Sequence, residues 1–180
     1  MSRGSRGCIL SEEPVLETER LILRPPHADD LPGWATMMAD PDNSRFIGGP
    51  LGSRAAWASL SIMAGAWRLH GFGNFSVLLK STGQWIGRAG PWMPPGWPGP
   101  EIGWAFLKDH WGQGYAAEAA QATMVWSREV LGWDHAIHII HRENSPSMAL
   151  AERIGSVFER ELPPRVLDNA VPLLIYSQKF

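Results

Sequence analysis

Hydrophobic and polar positions recur along most of the chain, and their period switches between two and about 3.6 residues several times. In TERLILR, residues 18–24, Leu21 and Leu23 fall on one side and Arg20, Ile22 and Arg24 on the other, which predicts a strand with one wet face, ended by Pro25 and Pro26. Residues 27–40 take helical spacing: Leu31, Trp34, Met37 and Met38 form a stripe, Asp29 and Asp30 complement the first turn, and Pro41 closes the helix. After the turn IGGPLG, Ser53 is placed to cap a second helix carrying Ala56, Trp57, Leu60, Ile62, Met63 and Trp67 and ending at His70 and Gly71. Its expected companion is the first helix.

Period two returns at Phe75, Val77 and Leu79, and with STGQ as the turn and WIGRAGPWM as the return, residues 73–93 predict an antiparallel hairpin. EIGWAFL, residues 101–107, is a further strand. Residues 112–131 then predict a long helix, mostly buried, because Glu118, Gln121, Arg128 and Glu129 share an arc of about 100° and nearly all else is apolar or small. Residues 136–141 form a strand, and NSPSMALAERIG a helix with Asn144 or Ser145 as cap, Pro146 in the first turn and Gly155 as terminator. Residues 156–161 and 171–179 are two last strands flanking LPPRVLDNA. The order predicts an α/β fold, one mixed sheet with helices on its faces and no internal repeat, preceded by a flexible tail at residues 1–14.

Composition narrows the function. A length of 180 residues with 44% hydrophobic and 19% charged residues fits one globular domain, here residues 15–180. Sixteen Lys and Arg against eighteen Asp and Glu leave a charge of −2, so no broad positive field exists for nucleic acid or anionic lipid. No apolar run approaches the ~20 residues of a membrane span, and the start MSRGSRGCILSEE holds only Cys8 to Leu10 where a signal peptide needs a longer stretch. The lone Cys8 builds no disulfide or zinc framework and, with no supporting residues, no nucleophile; a cytoplasmic, reducing setting is expected. His135, His138 and His141 form no metal site, because alternation turns His138 away from the other two, which lie too far apart along the strand for one ion.

The sharpest local feature is Trp111-Gly112-Gln113-Gly114-Tyr115-Ala116-Ala117, between a strand and the long helix. Glycines there let the chain turn tightly and aim amide N–H groups at an anion beside a helix N-terminus; a plain strand-to-helix turn needs the same glycines, and both readings stand. Gly112-x-Gly114-x-x-Ala117 also meets the dinucleotide fingerprint, but it follows a hairpin and a further strand instead of a first strand, and the acidic residue twenty positions on, Asp134, sits at the start of the next strand. No Gly-Lys-Ser/Thr follows, which excludes a Walker loop.

LETERLILRPP, EIGWAFLKDHWGQGYAAEAA and HRENSPSMALAERIG, in this order, resemble the Gcn5-related N-acetyltransferase (GNAT) family, in particular its ribosomal-protein N-terminal acetyltransferase-like branch, over roughly residues 16–161. The resemblance implies a single-domain fold whose mostly antiparallel sheet opens into a V, acetyl-CoA as cosubstrate, and direct transfer to a primary amine. Backbone amides of Gly112, Gln113, Gly114, Tyr115 and Ala116 would cradle the coenzyme pyrophosphate; Trp111 stands where the family carries Gln or Arg. Backbone groups of Ala105, Phe106 and Leu107 would pair with the pantetheine arm. Glu101 would take the amine proton, against an exposed strand-end carboxylate as the plain alternative. Ala151 occupies the place where many members put a Tyr acid, leaving Ser147 to reach the sulfur, or only to bond local backbone; Asn144 is a helix cap or a pantetheine contact. Arg153 would meet a coenzyme phosphate, or is only an exposed helix residue, which is the preferred reading.

The expected acceptor is a peptide or protein N-terminus, held in a cleft bounded by the 41–52 loop, the Pro/Gly/Trp loop at residues 91–100 and LPPRVLDNA. Asp40, Asp42, Asp168, Trp92 and Trp97 are candidates to line it, while Trp34, Trp57, Trp67 and Trp126 fall in core patterns. A small amine or antibiotic as acceptor, a non-catalytic acyl-CoA-binding module, a nicotinamide dinucleotide protein and a homodimeric assembly remain alternatives at this level.

Overall fold

β1 (Leu16–Glu17) and β2 (Leu21–Arg24) divide what the alternation predicts as one strand, because Thr18 turns the chain: its Oγ1 accepts the Leu21 N–H at 3.0 Å and its own N–H donates to the Leu21 carbonyl. The computed structural model describes residues 13–167 and 170–180, so Cys8, most of the expected tail, and Asp168 lie outside the described residues. α1 (Leu31–Ala39) follows a single 3-10 turn, and Pro41 opens a further helix as well as ending the first. In this short α2 (Pro41–Ser44), the Asp40 carboxylate caps the N–H groups of Asp42 and Asn43. α3 (Ser53–His70) is capped by Gly52 and closed by Gly71 at φ 77°, and it packs on α1 as expected.

β3 (Phe75–Leu79), β4 (Trp85–Trp92) and β5 (Glu101–Phe106) follow, and then α4 (Tyr115–Leu131). α4 begins three residues later than its apolar pattern predicts, because Gly112 and Gly114 take left-handed φ values of 72° and 84° that no helix accommodates. It is buried on one face only, through residues such as Ala119, Thr123 and Trp126, whereas Val125 and Val130 are exposed. Trp57 and Ile62 on α3 are likewise exposed, so Trp57 does not belong to the core. β6 (His135–His141), α5 (Ser145–Arg153), β7 (Val157–Leu162) and β8 (Leu173–Lys179) complete the chain.

The eight strands form one sheet in the order β1-β2-β3-β4-β5-β6-β8-β7, every neighbouring pair antiparallel except β5 and β6. On one face, Trp67, Phe75 and Trp126 pack edge to face under α4, with Phe75 at 4.7 and 5.2 Å from the two indoles. On the other, Trp34, Met37 and Met38 of α1 and Ala56 and Leu60 of α3 close over Trp85. The site depends on the parallel pair. β5 and β6 share the single register Glu101↔Ile137, after which β5 follows β4 and β6 follows β8, so the sheet splits into a V at its centre.

Candidate active site

Two pockets meet in that V. The first, about 560 Å³, lies between the end of β5, the turn before α4 and α5; the second, about 450 Å³, lies between the tryptophan loop, β6 and the segment after α2. Phe46, Ile47, Trp104, Asn144 and Ser147 line both and mark the passage between them.

Gly112, Gly114, Tyr115 and Ala116 line the first pocket, where the first-turn N–H groups of α4 have no intrahelical acceptor and Gly114 supplies no side-chain cap. Gln113 does not line it: its carbonyl accepts from Arg20 Nη1 at 2.9 Å and its amide donates to the Asp109 carbonyl. Arg20, read from sequence only as a wet-face residue, clamps the turn. Its Nε donates to Glu118 Oε2 at 2.7 Å, its backbone N–H to Oε1 at 2.9 Å, and its guanidinium lies 4.5 Å from the Tyr115 ring centre. Hydrogen bonds from Thr18 and Arg20 hold the Glu118 carboxyl below its usual range against the opposing effect of burial. Trp111, at the Gln/Arg position, donates its indole N–H to the Phe106 carbonyl and so braces the end of β5. Arg45, Lys108 and Arg153 add cationic side chains to the wall.

At the end of β5, Leu107 donates its N–H to the Ile86 carbonyl at 2.9 Å, and by the two-residue period of an antiparallel ladder Ala105 also faces β4. The N–H groups of Trp104 and Phe106 therefore point into the V. Ala105 and Phe106 line the first pocket; Leu107 packs with the α1–α3 cluster instead.

Glu101 lines the second pocket and is only 9% exposed, which removes the exposed strand-end reading. Burial pushes its carboxyl up to about 7, against hydrogen bonds from Trp97 Nε1 to Oε2 (2.7 Å) and from the Ile139 N–H to Oε1 (3.4 Å) and the charge of Arg88. Ser147 sits at the passage, where its Oγ accepts the Trp104 indole N–H at 3.3 Å. Asn144 caps α5 through Oδ1, which accepts the Ser147 N–H, and also lines both pockets. Ala151 is fully buried.

The three segments expected around the acceptor do converge: Ile47, Trp92, Trp97 and Leu167 all line the second pocket. The aspartates do not follow. Asp40 is spent as the α2 cap, and Asp42 pairs with Lys108 at 2.5 Å beside the first pocket. His138 is buried, its ring bonded to the Ile102 carbonyl at 2.7 Å and Ser156 Oγ at 2.9 Å, and burial lowers it to about 4, so it is neutral at pH 7. Among the described residues no cluster of His, Cys, Asp and Glu is arranged to hold a metal, and no helix is long and apolar enough to cross a membrane. Arg88 is the second residue that sequence reasoning missed; the signal was a lone charge inside the apolar strand WIGRAGPWM.

A central V that lies over a glycine turn, with a buried carboxylate in an adjoining pocket, is the architecture of an acetyltransferase. The sequence pattern of the acetyltransferase (GNAT) domain matches residues 20–157, and the chain belongs to that family of acyltransferases. It is 29% identical over 150 residues, 82% of this chain and 83% of the relative, to an uncharacterized N-acetyltransferase p20 of Bacillus licheniformis. The crystal structure of an acetyltransferase from Agrobacterium tumefaciens str. C58 is similar at 35% identity and a TM-score of 0.81, covering 93% of this chain and 95% of that one. RimL, a ribosomal L7/L12 alpha-N-protein acetyltransferase solved in complex with coenzyme A, shares the fold at 13% identity and a TM-score of 0.77, covering 93% and 98%.

Proposed function

We propose that the protein transfers the acetyl group of acetyl-CoA directly to a primary amine, the N-terminus of a peptide or protein. The observation that carries this reading is Glu101, a buried carboxylate raised to about 7 in a pocket that joins a second, glycine-lined pocket at Ser147. Such a group is half ionised at neutral pH and suited to general base work. The first pocket fits the coenzyme: unpaired N–H groups at the start of α4 and the cations Arg45, Lys108 and Arg153 suit its phosphates, and the open edge of β5 suits its amide-bearing arm. When bound, acetyl-CoA supplies an activated acetyl thioester.

The chain supplies the rest. Glu101 accepts the proton of the incoming amine, directly or through a water; the nitrogen–carbon bond forms as the carbon–sulfur bond breaks. Ser147, whose Oγ already accepts from Trp104, keeps its hydroxyl proton free to donate to the departing sulfur and regains one from solvent. The net products are an amide and the CoA thiol. Direct transfer accords with the absence of a thiol among the described pocket-lining residues. Trp92 and Trp97 supply an aromatic wall for the residue next to the amine. The shared fold with RimL supports a protein N-terminus as acceptor.

The test is an acetyl-CoA turnover screen against N-terminal peptides, free amino acids, polyamines and aminoglycosides, with mass spectrometry locating the acetyl group. N-acetylated peptide is expected. Selective O-acetylation, or activity confined to small amines, overturns the peptide assignment; acetyl-CoA binding with no acceptor-dependent thiol release makes the protein a binding module.

A further inference from the structure

β2, β3, β4 and β5 carry one cross-strand row, Arg24↔Ser76↔Arg88↔Ala105, and its two arginines are treated differently. Arg24 has its anion built in: Asp30, 2% exposed, receives Nη1 and Nη2 at 2.9 and 2.7 Å and also the Ser76 hydroxyl. Arg88 has none. Among the described residues no carboxylate stands at ion-pair distance from it, and its one acceptor is the neutral amide oxygen of Asn74. That amide cannot turn away, because its NH2 group is spent on the Gly90 and Pro91 carbonyls. Arg88 Nε is buried without any partner, and the guanidinium lies 5.7 Å from the Trp34 ring centre.

A guanidinium presents five N–H donors, and here only one is received by the protein. Arg88 lines the second pocket and keeps part of its surface exposed, and the buried Asn74 lines the same pocket. Glu101 lines the same pocket, and each of the two acts on the other's charge. Gly103, between Glu101 and Ala105 on that face of β5, leaves the floor bare: a Cβ added there would meet nothing nearer than Glu101 Oε1 at 3.6 Å. A largely buried cation with no carboxylate at ion-pair distance is costly unless an anion arrives from outside.

We propose that Arg88 is an acceptor-binding residue, and that the amine this protein acetylates carries a carboxylate a few atoms away, received by the Arg88 guanidinium while the amine stands at Glu101. The inference rests on acetyl transfer in this pocket and deepens it by fixing the charge of the acceptor. The carboxylate has two sources of the same chemistry: an acidic side chain close to a peptide N-terminus, or the α-carboxylate of a free amino acid.

The test compares acceptors that differ only in that charge: peptides with Asp or Asn as the second residue, and an amino acid with its own amide. Wild-type protein is expected to favour the carboxylate member of one pair by about 10- to 100-fold in kcat/KM, the size of a hydrogen bond to a charged group. The pair that responds names the source. Arg88→Gln should abolish that preference, Arg88→Lys should keep part of it, and neither should alter KM for acetyl-CoA. Equal kcat/KM within both pairs in the wild type overturns the proposal without any variant having to fold, and so does a preference that survives Arg88→Gln. Failure to acetylate any amine would instead defeat the transfer reading itself, and transfer without charge preference would leave that reading standing.

Discussion

Trp97 donates its indole N–H to Glu101 Oε2 at 2.7 Å from four residues upstream, so the proline-rich loop and the candidate base form one unit. That bond favours the carboxylate, while burial favours the neutral acid and is the larger effect. Trp97→Phe keeps the ring and removes the donor, so the ascending limb of kcat/KM against pH should move upward from about 7. Glu101→Gln should remove the limb and slow transfer by about 100-fold or more. An unshifted limb in Trp97→Phe, in a variant whose loop is shown by structure to keep its place beside Glu101, would separate the loop from the base.

Two buried groups should give stability opposite slopes with pH. The Glu101 carboxyl is raised from 4.5 to about 7, so the stability it contributes is full below pH 4.5 and is lost as pH rises through 7. His138 is lowered from 6.5 to about 4, so its contribution is present above pH 6.5 and is lost as pH falls toward 4. Urea unfolding between pH 4 and 8 should therefore show Glu101→Gln gaining on the wild type as pH rises, by on the order of 3 kcal/mol across the range. Parallel curves for the two proteins would mean that Glu101 titrates normally.

The period of the chain carried most of the fold, because burial of a face is written into spacing: Leu21 and Leu23, or Trp34, Met37 and Met38, leave little choice of side. It failed where local backbone chemistry decides. The helix after β5 had to wait for two left-handed glycines, and Thr18 interrupted a strand that alternation alone continues. In the site, Glu101, Ser147, Asn144 and the turn at Gly112 and Gly114 were legible through segments that resemble a family. Arg20 and Arg88 were not, since their roles arise from partners 98 and 14 residues away in the chain, and only folding brings Glu118 and Asn74 to them.

The clamp on the turn gives a prediction about coenzyme binding. Gly114 has φ 84°, and a Cβ there would stand 3.3 Å from Arg20 Nη2. Gly114→Ala should cost about 1–2 kcal/mol of backbone strain and displace the arginine, raising KM for acetyl-CoA roughly tenfold or more. Arg20→Ala acts through an ion pair that is partly exposed on the arginine side, so a rise of a few fold, larger at low salt, is expected. Steady-state kinetics at two ionic strengths distinguishes them: the first effect is independent of salt, and an equal salt response in both variants would show that the turn conformation itself matters little.

Ser147 provides the test of the leaving-group step. Its Oγ is held by the Trp104 indole at the passage between the pockets, and its backbone N–H is held by the Asn144 cap, so the hydroxyl is fixed in place without being needed to build α5. Ser147→Ala should therefore leave thermal stability and calorimetric coenzyme affinity close to wild type while lowering kcat by about 10²- to 10⁴-fold, the range for a positioned proton donor. The discriminating measurement replaces the thiol: with an acyl thioester whose leaving group is more acidic, departure needs less help, and the gap between wild type and Ser147→Ala should narrow. A gap that stays constant across leaving groups would assign Ser147 to holding Trp104 instead of delivering a proton. Trp104→Phe would then reproduce the defect, because it removes the same indole-to-hydroxyl bond from the other side.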